Sequence, residues 1–359
     1  MFRCLKAVLQ RPSTFPILLS GNNPSCSTLH AFQKVKRALH CRHCLIKEPK
    51  FKTYISSAQY STAAGNGPLE VTRENSREIL EKYDTLLIDC DGVLWKIDHV
   101  TPLPGIQETM SRLRDTRKQI LFVTNNSMHG REMYVDKFRK YGFEARGSEV
   151  FCVAYAAAIY LKTVAKISKA VYVSGSRGMQ SELEQAGIDA FGFGPDRDQT
   201  TDDVEQLLQM EFRDDVEAVL VGFDIHFSYN KIYKAASYLT SPDCLYLATN
   251  SLETGPLISI NRRQPVTGTM VAAISAASKR EPLVIGKPSC HMFECIQTMY
   301  PTIDKSRTLM IGDSLRADIQ FAQNNGIDSA LVLTGVAGLQ MVKDTGILPT
   351  YYMQSIAVL

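Results

Sequence analysis

Two aspartates one residue apart, Asp89 and Asp91, end the apolar run Thr85-Leu86-Leu87-Ile88 and are followed by Gly92. A strand rich in Leu and Ile reads as buried, and in an open α/β sheet its carboxyl end is where ligands bind. Residues two apart on a strand point the same way, so both carboxylates are expected to face one crevice. Gly92 then lets the backbone turn close to a ligand. Taken alone, the same residues also describe a strand and an ordinary Asp-Gly turn.

A second apolar run, Gln119-Ile120-Leu121-Phe122-Val123, ends in Thr124-Asn125-Asn126-Ser127. The helix that Pro104-Gly105 opens, to about Arg117, lies between the two runs. Strand, helix and strand at this spacing make a parallel crossover, which brings both polar ends to the same sheet edge. The Thr124 hydroxyl and the donors of Asn125 and Asn126 suit the equatorial oxygens of a phosphoryl group. The same four residues could simply cap a helix. Asn125-Asn126-Ser127 also matches a glycosylation sequon, which is discounted because the nine scattered cysteines read as reduced intracellular thiols.

Farther on, Leu283-Val284-Ile285-Gly286-Lys287-Pro288 sets a lysine after an apolar strand. Thr308 to Ile311 then runs into Gly312-Asp313-Ser314-Leu315-Arg316-Ala317-Asp318. An exposed lysine and a Gly-Asp-Ser turn are each unremarkable by themselves; following the first two stations in this order, they are not.

The elements that must position these residues are strand-helix units. Helices are expected over Arg73 to Tyr83, Val135 to Tyr141, Val150 to Leu161 and Met292 to Met299, with a last strand over Ser329 to Leu333 before Thr334-Gly335. Between Ser168 and Glu281 the alternation continues through strands at Ala170, Ala218 and Cys244 without a clustered acid pair, as a covering domain would. The expected organisation is a leader over 1–67, a core in two parts over 68–167 and 282–359, and an inserted cap over 168–281.

At 359 residues, with 45% hydrophobic and 21% charged residues, the composition is that of a soluble globular protein with room for two domains. The net charge of +3 is unevenly spread, since Met1 to Leu69 holds ten Lys or Arg against the single acid Glu48. The remainder carries 30 basic against 36 acidic residues, so it offers no basic surplus for a nucleic acid. No apolar run reaches the roughly 18 residues of a membrane span.

The leader is rich in Arg, Lys and Ser and broken by Pro12, Pro16 and Pro24, and so resembles a mitochondrial presequence. Phe2, Leu5, Val8 and Leu9 can share one helical face, and Ala58 to Thr62 looks like a processing site. The expectation is the mitochondrial matrix, with a disordered extension on a cytoplasmic protein as the alternative. Cys41-Arg42-His43-Cys44 has the CxxC spacing of a zinc site but lacks a second ligand pair, so it reads as coincidence.

With four stations in place, the chain from roughly Tyr83 to Leu359 resembles the haloacid dehalogenase-like (HAD) superfamily, whose first motif is Asp-x-Asp-Gly-x-(Leu or Ile). The likeness is to the branch with a large C2-type cap, which includes phosphoglycolate, pyridoxal phosphate and para-nitrophenyl phosphatases. Pro102-Leu103-Pro104-Gly105, Val221-Gly222-Phe223-Asp224, His226-Phe227-Ser228-Tyr229 and Ile285-Gly286-Lys287-Pro288-Ser289 are similar to that branch too. The resemblance implies an α/β fold: a Rossmann-like, doubly wound parallel sheet with an inserted α/β cap.

It also implies roles. Asp89 would be the nucleophile, already ionised at neutral pH, and Asp91 the general acid and base. Lys287, Thr124, Asn125, Asn126 and Gly92 would surround the phosphoryl group. Mg²⁺ would sit on Asp89, the Asp91 backbone carbonyl and Asp313, offsetting carboxylates that repel by about 4 kcal/mol per pair at 4 Å and an effective dielectric near 20. Asp318 would orient Lys287 or metal-bound water from behind. The implied activity is hydrolysis of a small phosphomonoester, of the 2-phosphoglycolate or glycerol 3-phosphate type, through an aspartyl-phosphate. The cap would close over the substrate, with the loop Leu252 to Asn261 contributing, and a homodimer through the cap is expected by analogy.

The alternatives are a pyridoxal phosphate phosphatase, a phosphotransferase, and a catalytically silent phosphate-binding or interaction protein. A complete set of Asp89, Asp91, Lys287 and Asp313 argues against the last. Cys90 directly after Asp89 argues against a P-type ATPase, and the large insertion against a receiver domain. The chain departs from the branch at Arg316, Ala317 and Val266-Thr267-Gly268 without losing a catalytic carboxylate.

Overall fold

The computed structural model describes residues 67–252, 254–259 and 262–359. The presequence and CxxC expectations therefore lie outside the described residues.

Seven strands form one parallel sheet: β1 (Leu69–Glu70), β2 (Thr85–Ile88), β3 (Gln119–Thr124), β4 (Val150–Cys152) and, from the far end of the chain, three more. Between them the chain makes a second sheet from β5 (Ala170–Ser174), β6 (Ala190–Phe191), β7 (Val216–Val221) and β8 (Leu245–Ala248), and a hairpin of β9 (Thr254–Ser259) and β10 (Arg262–Pro265). β11 (Leu283–Val284) follows, then β12 (Thr308–Gly312), β13 (Asp328–Val332) and β14 (Tyr351–Met353), which complete the first sheet.

The first sheet has the order β1-β14-β13-β12-β2-β3-β4, with every ladder parallel. From β2 the chain winds one way through β3 and β4, and from β12 the other way through β13 and β14. The strand order therefore reverses between β2 and β12, the switch point where an open sheet leaves a crevice at its carboxyl edge. Asp89, Thr124 and Asp313 stand at the ends of β2, β3 and β12, three adjacent strands. Strand neighbours are about 4.8 Å apart, so chain segments far apart in sequence meet here.

The apolar content of β2 explains its central place: Leu86, Leu87 and Ile88 have no solvent exposure. The helix Ile106–Asp115 covers the sheet with Ile106, Met110 and Leu113, one face at helical spacing. The helix Arg131–Lys140 buries Tyr134 and Phe138. Trp95, fully buried, packs between them and Tyr141, with ring centroids 6.2, 5.8 and 5.8 Å away. This anchors the turn that leaves β2, and with it Asp91.

Three expectations change. Val150–Cys152 forms strand β4, and the helix begins only at Val153; β-branched Val150 and aromatic Phe151 pair with β3 and are wholly buried. Leu283–Val284 does not rejoin the core sheet: it lies parallel to β8 as the edge of the second sheet, whose order is β11-β8-β7-β5-β6. The segment expected as a loop from Leu252 to Asn261 contains strand β9, which pairs with β10 just after it, while Glu253, Ile260 and Asn261 lie outside the described residues.

The inserted sheet has its own apolar core, including Tyr172, Val219, Val221, Tyr246 and Ile274. It also buries an ion pair that the sequence pattern does not announce. Lys231 Nζ meets Asp224 Oδ2 at 2.5 Å, and Ser174 Oγ donates to the same oxygen at 2.9 Å. No helix among the described residues is long and apolar enough to cross a membrane.

Candidate active site

Lys287 is the hub. Its Nζ donates to Asp89 Oδ1 at 2.8 Å, to Asp318 Oδ1 at 2.7 Å and to the Val123 carbonyl at 2.7 Å. Only 3% of the residue is exposed. Burial works against its charge, but the Asp318 and Asp89 carboxylates more than offset this and hold it above the ordinary lysine value. Asp318 also accepts from the Ser314 backbone N–H at 3.0 Å, so both its oxygens are engaged. Asp318 thus ties Lys287 to the loop after β12.

Asp89, Asp313 and Asp318 are all buried, and each offers a carboxylate oxygen within 4.8 Å of the others. One lysine does not balance three such acids. Burial pushes Asp89 well above the carboxylate range, with Asp318 and Asp313 adding to it against Lys287. The ordinary carboxylate value expected from sequence does not hold for Asp89, because burial disfavours its charged form. Burial and Asp318 likewise push Asp313 up to about 7.

The backbone is shaped around Asp313. Gly92 has φ +82°, and a Cβ on it would stand 2.3 Å from Asp313 Oδ2. A Cβ on Gly335 would stand 1.8 Å from the same atom. The carboxylate accepts from the Val336 N–H at 2.8 Å, and Thr334 Oγ1 donates to the Gly92 carbonyl at 2.6 Å. The absence of a side chain at Gly92 admits Asp313. A set of hard oxygen donors with surplus buried negative charge fits a divalent cation such as Mg²⁺.

Asp91 takes different partners from Asp89. β2 ends at Ile88, so strand alternation does not carry through to Asp91. Its Oδ1 accepts from the Trp95 indole N–H and lies 2.7 Å from His99 Nδ1. Burial pushes the acid up, but the contacts with His99 and Trp95 prevail and hold it below the ordinary value. His99 is raised in turn by Asp91. It has a positive φ of 62°, and its carbonyl accepts from Lys137 Nζ at 2.9 Å. Neither Trp95 nor His99 was expected from the sequence. Trp95 carried a signal, being the chain's one tryptophan and four residues beyond Asp91; His99 carried none.

Thr124 ends β3, 1% exposed, with its Oγ1 accepting from the Asn126 N–H at 3.1 Å. Asn126 Oδ1 accepts from the Met128 N–H at 2.8 Å. The Asn125 side chain also binds the Lys287 backbone. Its Nδ2 donates to the Lys287 carbonyl at 2.7 Å, and its Oδ1 accepts from the Lys287 N–H at 2.8 Å. Its amide therefore grips the lysine's backbone through one N–H and its oxygen. Arg316, beside Asp313 in sequence, is exposed.

Comparison with known proteins places the chain in a family. Residues 86–189 match the family model described as haloacid dehalogenase-like hydrolase, and residues 284–359 match one described as HAD-hydrolase-like. The glycerol-3-phosphate phosphatase of Rattus norvegicus is 39% identical over 305 residues, covering 80% of this chain and 94% of that one. Phosphoglycolate phosphatase 1A, chloroplastic, of Arabidopsis thaliana is 38% identical over 288 residues, covering 79% and 78%. Among solved structures, the p-nitrophenyl phosphatase from Archaeoglobus fulgidus superposes with a TM-score of 0.65 at 27% identity, over 77% of this chain and 97% of that one. The chain belongs to the haloacid dehalogenase-like hydrolases and, within them, to the phosphatases that cleave phosphoric monoesters.

Proposed function

We propose that the chain is a Mg²⁺-dependent phosphatase acting on a small phosphomonoester of the glycerol 3-phosphate or 2-phosphoglycolate kind. The observation that carries the reading is Lys287 bridging Asp89 and Asp318 beside Asp313, at the switch point of the sheet. The substrates named for the rat and Arabidopsis relatives support the choice of ester.

A free Asp89 oxygen attacks phosphorus while the ester P–O bond breaks, giving an aspartyl-phosphate and an alcohol. Lys287 carries positive charge to Asp89 and to the phosphoryl oxygens as the new bond forms. Thr124 and the backbone at Asn125 and Asn126 line the approach. Asp91 gives the leaving oxygen its proton, taking one up first from the His99 side of its hydrogen bond. It then accepts a proton from the water that attacks phosphorus and returns it to His99, releasing phosphate and restoring Asp89. A divalent cation held by Asp89, the Asp91 carbonyl and Asp313 would supply charge neutralisation and orient the phosphate.

The test is phosphate release by the full chain, with and without Mg²⁺, from glycerol 3-phosphate, 2-phosphoglycolate and pyridoxal phosphate, beside Asp89→Asn. Metal-dependent release from one of the first two, abolished in the variant, is expected. Preference for pyridoxal phosphate would reassign the substrate, and binding without turnover on any of them would overturn the enzyme reading. A mitochondrial location is a separate proposal, supported by the basic leader; a reporter fused to residues 1–67 that stays in the cytosol would remove it.

A further inference from the structure

The lysine at the hub of the core site is hung from the cap sheet. β11 pairs with β8 through Leu283 with Leu247 and Val284 with Ala248. The ladder continues past the strand, with the Ile285 N–H donating to the Ala248 carbonyl at 2.9 Å and the Gly286 N–H to the Thr249 carbonyl at 2.8 Å. Lys287 is the next residue. Gly286 is needed for this approach: a Cβ there would stand 2.5 Å from the Thr249 carbonyl oxygen and 2.6 Å from Asn125 Oδ1.

Asn125, from the core loop after β3, grips Lys287 by both backbone groups. Asn125 is held in its turn by Asn250, at the end of β8. Asn250 Nδ2 donates to the Asn125 carbonyl at 3.0 Å, while its Oδ1 accepts from the Leu252 N–H at 3.1 Å. A weaker contact reaches Thr267 Oγ1 at 3.4 Å. Asn250 is only 8% exposed, so water does not readily replace these bonds.

We propose that Asn250 is a positioning residue for Lys287. Through Asn125 it sets where the ammonium stands between Asp89 and Asp318, so that seating the cap and placing the lysine are one event. The inference rests on the reading in which Lys287 acts on the phosphoryl group. Loss of the Asn250 donor lets the Asn125 loop shift, and Lys287 shifts with it. Because the lysine acts most strongly on charge that develops during transfer, the cost falls on the chemical step more than on substrate binding.

The experiment compares the full chain with Asn250→Ala, Asn250→Asp, Thr267→Val and Lys287→Ala, reading kcat, KM and the thermal midpoint for the preferred phosphomonoester. Asn250→Asp keeps the size and the acceptor for Leu252 while losing the donor, and so guards against a folding failure in the alanine variant. Both Asn250 variants are expected to lower kcat by roughly 3- to 10-fold, the worth of one hydrogen bond, with KM within about twofold. Thr267→Val is expected to leave kcat unchanged, since it removes only the weak 3.4 Å contact and leaves the Asn250 bond to the Asn125 carbonyl in place. Unchanged kcat in both Asn250 variants, or equal loss in Thr267→Val, would overturn the proposal. Full activity in Lys287→Ala would instead overturn the catalytic reading on which it rests.

Discussion

Gly335 passes so close to Asp313 that a β-carbon on it would stand 1.8 Å from Oδ2. The carboxylate has little room to yield, because Gly92 also approaches Oδ2 closely and the Val336 N–H holds the same oxygen. Gly335→Ala is therefore expected to displace Asp313 and weaken Mg²⁺ activation by about 10- to 100-fold, the range seen when metal ligands lose their support. A Mg²⁺ titration of phosphatase activity checks it. An unchanged half-saturation point would mean that Asp313 does not hold the cation.

Asp318 holds Lys287 with one oxygen and the Ser314 N–H with the other. Asp318→Asn keeps the shape but turns an NH₂ group toward one of these donors. One bond is lost and the lysine's charge is left to Asp89, with only the neutral Val123 carbonyl beside it. The expected result is a fall in kcat of about 10- to 100-fold and a stability loss of about 1–3 kcal/mol, read from turnover and urea unfolding. Normal kcat would show that Lys287 needs no orienting carboxylate.

Asp313, with its carboxyl pushed up to about 7 by burial and by Asp318, links metal binding to pH. Below that value a cation must displace a proton to bind there. An acid with a folded value above its unfolded one costs stability as pH rises from about 4 to about 7, and the cost levels off beyond. Mg²⁺ removes that cost, so it is expected to raise the thermal midpoint more at about pH 8 than at about pH 5.5. An equal rise at both would contradict the assignment.

The site's acids were legible because each stands where an apolar run stops, and carboxylates drawn to the end of a buried strand lose hydration that only a bound cation or a charged partner restores. Lys287 was legible by the same reasoning, but its support was not. The pairing of Leu283–Val284 with the cap sheet depends on a partner strand, β8, far back in the chain, which no local pattern encodes. For Asn125, sequence gives no hint that its amide would bind the backbone of Lys287. Val150–Cys152 was read as helix because a run that is apolar throughout has no period to separate strand from helix. His99 reaches Asp91 through a left-handed backbone turn that nothing in its neighbours announces.

The cap is also fastened to the core away from Lys287. Glu182, 1% exposed on the cap helix Arg177–Gln185, accepts from the Arg131 N–H at 2.6 Å and from Arg131 Nε at 2.8 Å. Nearby, Ser176 Oγ donates to the Ser127 carbonyl at 2.5 Å, and the Phe223 N–H donates to Ser127 Oγ at 3.0 Å. A Cβ on Gly178 would stand 2.6 Å from the Gly130 nitrogen, so the two elements touch backbone to backbone. These contacts fall just beyond the Thr124–Asn126 loop and carry no charge to the reacting atoms. Glu182→Gln keeps the shape and weakens the ion pair, so it is expected to loosen the seated cap and raise KM severalfold while kcat changes less. Its kinetic signature is thus the reverse of that expected for Asn250→Ala. Steady-state kinetics on both variants, with one substrate and saturating Mg²⁺, separates a latch that retains substrate from a strut that places the lysine. A fall in kcat at constant KM for Glu182→Gln would refute the latch.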